Sequence, residues 1–254
     1  MRVYVIQLDH SDIETKRERI RRAVSVIKGL DSPELILLPE LWGTGFFSYD
    51  KYAENSEELY GETASALSDA ARDKGSYIFT GSFIERRRDK LYNTALLLNK
   101  SGNITAEYRK IHLFGDEKKL LSAGAEISAV ETELGIIGLS ICYDLRFPEL
   151  YRRLTEKGAE LLLSCYALPT ERLSHWQLLT PARALENQAF FISCGCAGEN
   201  SGVKYAGHSM IVSPMGEIIK EGGASDEVLC ADIDINDARR YRAGFSALRD
   251  RVIF

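Results

Sequence analysis

The chain has 254 residues, of which 45% are hydrophobic and 27% charged, a composition typical of a compact soluble protein with a sizeable core. Its net charge of -5, with no cluster of Lys and Arg among stacking aromatic residues, argues against nucleic acid as a partner. No apolar run approaches the roughly 20 residues of a membrane span. The amino terminus reaches Gln7 and Asp9 before a signal-peptide core could form, so we expect no membrane partner either.

The first half of the chain alternates between apolar runs and a helical pattern. Residues 3–8 and 35–40 predict buried strands, and Ile20, Ala23, Val24 and Ile27 fall on one face of a helix between them. A second helix is predicted over 56–74. Three consecutive strands are then predicted at 77–83, 91–99 and 104–111, with a turn at 99–102.

The second half repeats this alternation. Strands are predicted at 136–142, 159–165, 189–194, 207–213, 216–221 and 228–234, with helices at 147–157 and 171–188 and a helical tail from 236. The strand runs barely alternate in polarity, so we expect both faces of the strands to be buried. One sheet with helices on both faces and two stacked sheets with helices outside explain this equally well. We predict one domain with two similar halves.

The five cysteines are odd in number and lie mostly in apolar runs: Cys142, Cys165, Cys194, Cys196 and Cys230. This pattern favours reduced thiols over a disulfide framework, and it predicts a cytoplasmic protein. The pair Cys194 and Cys196 could indicate a redox or metal site. No second cysteine pair lies nearby, however, and core packing fits this segment better.

The stretch GLSICYDLRFPELYR (138–152) carries an apolar strand to Cys142, and charged residues follow at once. A free cysteine often packs as a small hydrophobic residue. A thiol where a strand turns into a helix can instead be a nucleophile, but its usual pKa of about 8.5 means that it needs a base. We interpret Asp144, Arg146 and Glu149 as structural ion-pair partners around this turn.

Candidate partners for such a thiol are few. The histidines show no distinctive spacing: His10, His112, His175 and His208. Glu40 ends the apolar run LILLPE, where open α/β sheets bind their ligands, although in isolation it fits a solvated loop better. Lys110, in EYRKIHLF, could stabilise a developing oxyanion, although exposed strand lysines are common.

Three segments in this order, LLPELWGTGF, YRKIHLF and ICYDLRFPE, resemble the nitrilase or carbon-nitrogen hydrolase superfamily. The resemblance extends through GSFIE, YNTALLLNKSG, RALENQAFF and GHSMIVSPMGEIIKE, so it spans nearly the whole chain. It implies an α/β fold, a four-layer α-β-β-α sandwich, in a single domain over 1–254. It also implies a Glu-Lys-Cys triad, which falls on Glu40, Lys110 and Cys142, with Glu117 as a second glutamate that orients Lys110.

The implied reaction is hydrolysis of a non-peptide C–N bond of a small amide by water, without metal or organic cofactor. Cys142 attacks the carbon, and Glu40 serves as base and then as acid toward the leaving ammonia. Lys110 and the backbone N–H of Tyr143 hold the oxyanion. A thioester forms on Cys142, and water hydrolyses it.

The motif CYDLRFPE is most similar to the ω-amidase branch, whose members hydrolyse the terminal amide of small dicarboxylic monoamides. The distal carboxylate of such a substrate needs a cationic or donating partner, for which Arg172, His175, Tyr49 and Tyr166 are candidates. Nitrilase or N-carbamoyl hydrolase activity is the alternative within the superfamily. A catalytically silent redox or binding protein is the alternative outside it, although such a protein has no physical need for an intact triad.

The tail from about 236 resembles a segment that helps to form a dimer in relatives. It keeps an Arg-rich stretch and a terminal aromatic residue but lacks the proline often found there. We therefore predict a homodimer or a higher homo-oligomer with this tail at the interface.

Overall fold

Strands and helices alternate along residues 1–252, which are the residues that the computed structural model describes. The strands are β1 (Arg2–Gln7), β2 (Asp9–His10), β3 (Leu35–Leu37), β4 (Tyr77–Arg87), β5 (Lys90–Leu98), β6 (Ile104–Arg109), β7 (Ala129–Thr132), β8 (Gly135–Ile141), β9 (Leu161–Tyr166), β10 (Phe190–Gly195), β11 (Ala197–Asn200), β12 (Val203–Lys204), β13 (Met210–Val212), β14 (Ile218–Glu221) and β15 (Glu227–Asp232). The α-helices are α1 (Lys16–Gly29), α2 (Tyr52–Asn55), α3 (Glu62–Lys74), α4 (Glu117–Leu120), α5 (Pro148–Glu156), α6 (Leu173–Asn187) and α7 (Asn236–Gly244).

Most strands belong to two sheets of six strands each. The first has the order β15-β1-β3-β4-β5-β6 and the second the order β14-β13-β10-β9-β8-β7. Each sheet contains three adjacent parallel strands, which are β1, β3 and β4 in the first and β8, β9 and β10 in the second. Antiparallel strands flank each trio on both sides. The two halves predicted from the sequence therefore have equivalent topology.

The two sheets stack face to face, with helices on both outer faces. Strands β1 and β4 contact β10 and β9 across the interface between the sheets. Side chains such as Val5, Leu37, Leu139 and Leu163 fill this interface and are fully buried. Helices α1 and α3 cover the first sheet, and α5 and α6 cover the second. Of the two arrangements that the sequence leaves open, the structure has the stacked one, in which each main sheet packs one face on the other sheet and one face on helices.

Local sequence explains where the helices begin. Thr15 caps α1 in a capping box with Glu18, as the preference for Thr three residues before Glu predicts. The helix predicted over 56–74 begins at Glu62 instead, because Glu57 pairs with Glu85 at the side of β4 and Gly61 precedes the first turn. None of the helices described over residues 1–252 is long and apolar enough to cross a membrane.

Several strands end at one side of the sandwich. Residues 38–40 follow β3, Lys110 follows β6, Cys142 follows β8 and Ala167 follows β9. Since the carboxyl ends of parallel strands lie at one edge of a sheet, this edge is where the fold collects polar side chains.

Candidate active site

A buried lysine lies between two buried glutamates at this edge. Lys110 Nζ donates to Glu40 Oε1 at 2.8 Å and to Glu117 Oε2 at 2.7 Å. All three side chains are fully buried. Burying a charge away from water is costly unless the charge is paired and hydrogen-bonded. Here the hydrogen bonds between the ammonium and the two carboxylates offset that cost.

Neutral donors complete the shell around the two glutamates. The Asn93 amide nitrogen donates to Glu40 Oε1 and to Glu117 Oε1, each at 3.0 Å. The backbone N–H of Ala167 donates to Glu40 Oε2 at 2.9 Å, and that of Phe114 donates to Glu117 Oε2 at 2.8 Å. The sequence analysis did not assign Asn93 a role. Its sequence signal is a polar residue near the start of the apolar run in YNTALLLN.

Burial has the largest influence on the ionisable groups of the cluster. It raises the pKa of Glu40; Lys110 opposes this rise and Glu117 adds to it. Burial, followed by the charge of Glu40, also raises the pKa of the Cys142 thiol well above its usual value. For Lys110, burial lowers the pKa, but Glu117 and Glu40 together hold it well above the ordinary value. The site thus pairs a protonated thiol with a carboxylate of increased basicity and a permanent ammonium.

Cys142 occupies a strained turn at the end of β8. Its φ of 47° lies in the left-handed region, which costs a residue with a Cβ about 1–2 kcal/mol. A short 3-10 turn over Cys142–Arg146 follows and leads into α5. The charge of Glu40 and a hydrogen bond to it both act on the pKa of the Cys142 thiol, so the two side chains are neighbours. The turn therefore places the thiol beside the Glu40 carboxylate.

A cleft at the protein surface borders Cys142. Its walls are mostly aromatic and apolar, with the cationic side chains of Arg146 and Arg172 and the imidazole of His175 among them. Lys110 Nζ lies 5.1 Å from the ring centre of Phe46, another residue of the wall. Apolar walls with a few polar groups are typical of sites for small molecules.

The structure places the predicted substrate-binding residues in two groups. Tyr143, Arg172 and His175 line the cleft. Tyr49 lies behind the wall, packed on Phe46 and Tyr52, and burial raises its pKa to about 12.

Tyr166 does not support the hydrogen-bonding role predicted for it. It is fully buried, its ring packs on Trp176, and its hydroxyl donates to the carbonyl of Gly207 at 2.6 Å. Strand alternation alone does not show which face of β9 points toward the cleft.

The three residues interpreted as ion-pair partners around the turn after Cys142 have different surroundings in the structure. Glu149 is exposed on α5, whereas Asp144 is fully buried. Arg146 lines the cleft, and its guanidinium lies 3.0 Å from His175 Nδ1. The Arg146 side chain lies at the cleft rather than at an acidic partner in the turn. The interpretation of Arg146 as an ion-pair partner at the turn is therefore not supported.

The other cysteines form no disulfide bonds. All five cysteines are free, and Cys194 and Cys196 donate to the backbone carbonyls of Ile6 and Glu40 rather than pairing with each other. Among residues 1–252, no group of three or more His, Cys, Asp or Glu side chains is arranged to hold a metal ion. The cysteine pair thus gives no support to a redox centre.

Known proteins are similar to this chain in sequence and in fold. The family described as carbon-nitrogen hydrolase matches residues 2–243. The chain is 38% identical over 260 residues to a 2-oxoglutaramate amidase of Paenarthrobacter nicotinovorans, covering 98% of this chain and 88% of that protein. It is 39% identical over 240 residues to a 2-oxoglutaramate amidase of Bacillus subtilis, covering 92% and 91%.

The fold is similar to that of Nit3 from Saccharomyces cerevisiae, described as a member of branch 10 of the nitrilase superfamily, with a TM-score of 0.91 and 29% identity. The similarity covers 100% of this chain and 97% of that one. The predicted four-layer sandwich is therefore confirmed. The chain belongs to the carbon-nitrogen hydrolase family.

Proposed function

We propose that this hydrolase is an ω-amidase that releases ammonia from a small carboxylic amide, with Cys142 as its nucleophile. The observation that carries the proposal is the buried cluster of Glu40, Lys110 and Glu117 beside a thiol that opens into a cleft. The names of the two amidase relatives support an amide substrate rather than a nitrile or a carbamoyl compound.

In the first half of the reaction, Glu40 takes the proton from the Cys142 thiol as Sγ attacks the amide carbon. The increased basicity of Glu40 suits this step, because the thiol does not ionise unaided at neutral pH. The C–N bond of the tetrahedral intermediate then breaks. Protonated Glu40 returns its proton to the nitrogen, ammonia leaves, and a thioester remains on Cys142.

In the second half, Glu40 takes a proton from a water molecule that attacks the thioester carbon. The C–S bond breaks, the proton passes from Glu40 to Sγ, and the carboxylic acid leaves. Glu40 is thus base, acid, base and acid again. Glu40 is the carboxylate whose charge raises the pKa of the thiol most strongly.

Lys110 and the N–H of Tyr143 hold the oxyanion in both halves. An ammonium has three N–H groups, and in this site two of them are directed at Glu40 and Glu117. The third is then available to the substrate oxygen. Glu117 fixes the direction of that N–H by holding a second one at 2.7 Å, so its role is to orient Lys110.

The cationic groups of the cleft are the proposed partners of the substrate's distal carboxylate. Arg172 is half-buried and its guanidinium lies 4.6 Å from the ring centre of Phe114, which restricts its movement. Arg146 is exposed and contacts His175. A carboxylate bound here gains charge-assisted hydrogen bonds, which are worth about 1.5–3 kcal/mol each, or roughly 10- to 100-fold in binding.

The test is ammonia release from 2-oxoglutaramate and succinamate, compared with butyramide and a short nitrile. We expect the two carboxylic amides to have a kcat/KM at least about 10-fold higher than butyramide. The control is Cys142→Ala, which should remove all turnover while circular dichroism stays unchanged. Faster turnover of butyramide or the nitrile would refute the ω-amidase assignment and leave the Cys142 mechanism standing.

A second experiment locates the carboxylate site. Arg172→Met keeps the length of the side chain and removes its charge, so it should raise KM for succinamate but not for butyramide. Arg153→Met is the matched control, because Arg153 is exposed on α5 and pairs with Glu156. Equal effects of both variants on succinamate would contradict the assignment of Arg172.

We also propose that the protein is a cytoplasmic homodimer. Five free thiols, three of them fully buried, favour a reducing compartment. On the outer face of α6, Leu178 is 72% exposed and Leu185 is 48% exposed, and the neighbouring Met215 is 56% exposed. An apolar stripe on an outer helix favours contact with a second copy.

The predicted interface tail packs partly on its own chain. Arg239 holds Glu160 through two hydrogen bonds, and Arg242 donates to the carbonyls of Ala159, Asn187 and Gln188. The terminal aromatic residue, Phe254, lies outside the described residues. Light scattering of Leu178→Glu should show monomers if the α6 stripe forms the interface; dimers that persist would place the interface elsewhere.

A further inference from the structure

A fully buried carboxylate, Asp144, lies between the segment that carries Lys110 and the turn that carries Cys142. It receives hydrogen bonds from both. Tyr108 Oη donates to Asp144 Oδ2 at 2.7 Å, and the backbone N–H of His112 donates to Oδ1 at 3.2 Å. His112 Nδ1 lies 2.7 Å from the same Oδ1. Because a carboxylate oxygen can only accept, this contact assigns the proton to Nδ1.

On the other side, Asp144 holds the nucleophile turn. The backbone N–H of Ile141, the residue before Cys142, donates to Asp144 Oδ2 at 2.9 Å. The link is reinforced by the His112 ring, which stacks on Phe147 with centres 3.7 Å apart and planes 7° apart. The left-handed backbone of Cys142 therefore lies between Ile141 and Asp144, the two residues that this hydrogen bond joins.

The spacing of these contacts is informative. Tyr108 and His112 flank Lys110 by two residues on each side, so both ends of the lysine segment are tied to one carboxylate. Asp144 itself lies two residues after Cys142. Lys110 and Cys142 are 32 residues apart along the chain. The hydrogen bonds of the single Asp144 side chain connect the segments that carry them.

We propose that Asp144 is a positioning residue that sets the separation between the Lys110 ammonium and the Cys142 thiol. This inference rests on the proposed roles of those two residues. The oxyanion forms on the carbon that Cys142 attacks, so Lys110 must lie at a fixed distance from Sγ. A displacement of about 1 Å in such an arrangement can cost roughly 100-fold in rate.

The main test is Asp144→Asn, which keeps the shape but replaces one acceptor oxygen with an NH2 group facing existing donors. We expect kcat for the best amide substrate to fall about 100-fold, with a change in KM of less than about 3-fold, because Asp144 itself does not line the substrate cleft. A kcat close to that of the native enzyme would overturn the proposal.

The matched control is Glu85→Gln. Glu85 is equally buried, and it binds Arg109, the neighbour of Lys110, through two hydrogen bonds at 2.7 Å. Both variants should lose thermal stability, but Glu85→Gln should keep a near-native kcat below its melting temperature. Equal losses of kcat in the two variants would show a general effect of destabilisation and overturn the proposal.

A double-mutant cycle adds a second variant, Tyr108→Phe, to the test. Tyr108→Phe removes one donor to Asp144 and should lower kcat about 10-fold, but it should have little further effect in the Asp144→Asn background. Additive effects would show that Tyr108 does not act through Asp144 and would count against the proposal. If Cys142→Ala kept its turnover, the catalytic roles themselves would fail, and this inference with them.

Discussion

Glu40 is a carboxylate whose environment both opposes and supports its charge. It lies fully out of water, which raises its pKa, yet it accepts hydrogen bonds from Lys110, Asn93 and Ala167. The balance matters because a base needs a pKa high enough to take a thiol proton and low enough to be ionised at the working pH.

Asn93→Asp tests this balance at nearly constant shape. A third carboxylate beside Glu40 and Glu117 raises the pKa of Glu40 further, since like charges disfavour ionisation. The ionised base is the active form, so kcat/KM falls as the pH drops through this pKa. We expect the acid limb of the pH profile to move to higher pH. Asn93→Ala, which removes the donor without adding charge, should move it less; an unmoved limb in both variants would exclude Glu40 as the titrating base.

Lys110→Arg tests whether a compact ammonium is required. The space around Nζ is closed by carboxylates at 2.7 and 2.8 Å, and the planar guanidinium is larger and directs its donors differently. We expect kcat to fall at least about 100-fold, a loss comparable to that of an oxyanion donor. Native turnover in this variant would show that Lys110 does not touch the reacting oxygen.

The sequence identified the charged residues of the site better than it identified their surroundings. Glu40, Lys110, Glu117 and Cys142 stand out because the resemblance implies catalytic roles for them. Asn93 also lies in a segment that resembles the family, but the resemblance implies no role for it, and a polar residue in a strand is equally typical of a solvated face. Its role depends on two glutamates that are distant in sequence, and only the folded chain brings them within 3.0 Å.

At the scale of elements, the approach of β4 to the residues after β3 fixes the backbone of Glu40. The ladder between β4 and β5 shifts register between Phe79 and Ser82, and Gly81 within this bulge has a φ of 65°. A Cβ at this position would lie 1.9 Å from the carbonyl oxygen of Pro39. The serine that follows holds the next segment, since Ser82 Oγ accepts from the N–H of Leu41 at 3.1 Å.

Gly81→Ala should therefore move Pro39 and Glu40 and remove most activity in the folded fraction. Gly75→Ala is the matched control, because Gly75 has a φ of 61° but nothing within 4 Å of a Cβ. That substitution should cost about 1–2 kcal/mol of stability and leave kcat unchanged. Urea unfolding and turnover would be measured on both; equal kcat values would show that the contact with Pro39 does not position Glu40.

The long elements were predictable and the short ones were not. Strand β8 and helix α6 follow their predicted ranges closely, because apolar runs and helical periodicity are long enough to be read there. The small sheet of β12, β11 and β2 was not predicted, since strands of two to four residues carry no period. The path of residues 56–61 depends on a bridge to Glu85, which local sequence does not encode.

At the scale of the whole molecule, buried His10 connects the protonation of one side chain to global stability. Burial, followed by the charge of Arg19, lowers its pKa from 6.5 to about 4, although Asp12 opposes the shift. The unfolded chain therefore binds a proton between these pH values while the folded chain does not. The free energy of unfolding falls as the pH drops through this window.

The expected loss is about 3 kcal/mol between pH 7 and pH 4, at about 1.4 kcal/mol per unit of pKa shift. Urea unfolding across this range should show the loss in the native protein and a smaller one in His10→Gln, which has no proton to gain. If both proteins lost stability in parallel, His10 would not be the group responsible.

The residues of the site are also synthesised in a defined order. Glu40, Asn93, Lys110 and Glu117 all lie within the first 117 residues, so their hydrogen bonds join parts of the amino-terminal half. Cys142 and Ala167 are synthesised later, and they follow strands β8 and β9 of the second sheet. Because amino-terminal segments leave the ribosome first, opposite charges can neutralise one another before Cys142 is synthesised. A nascent or truncated chain that ends before Cys142 lacks the proposed nucleophile, so we expect turnover of amides only once the second sheet docks onto the first.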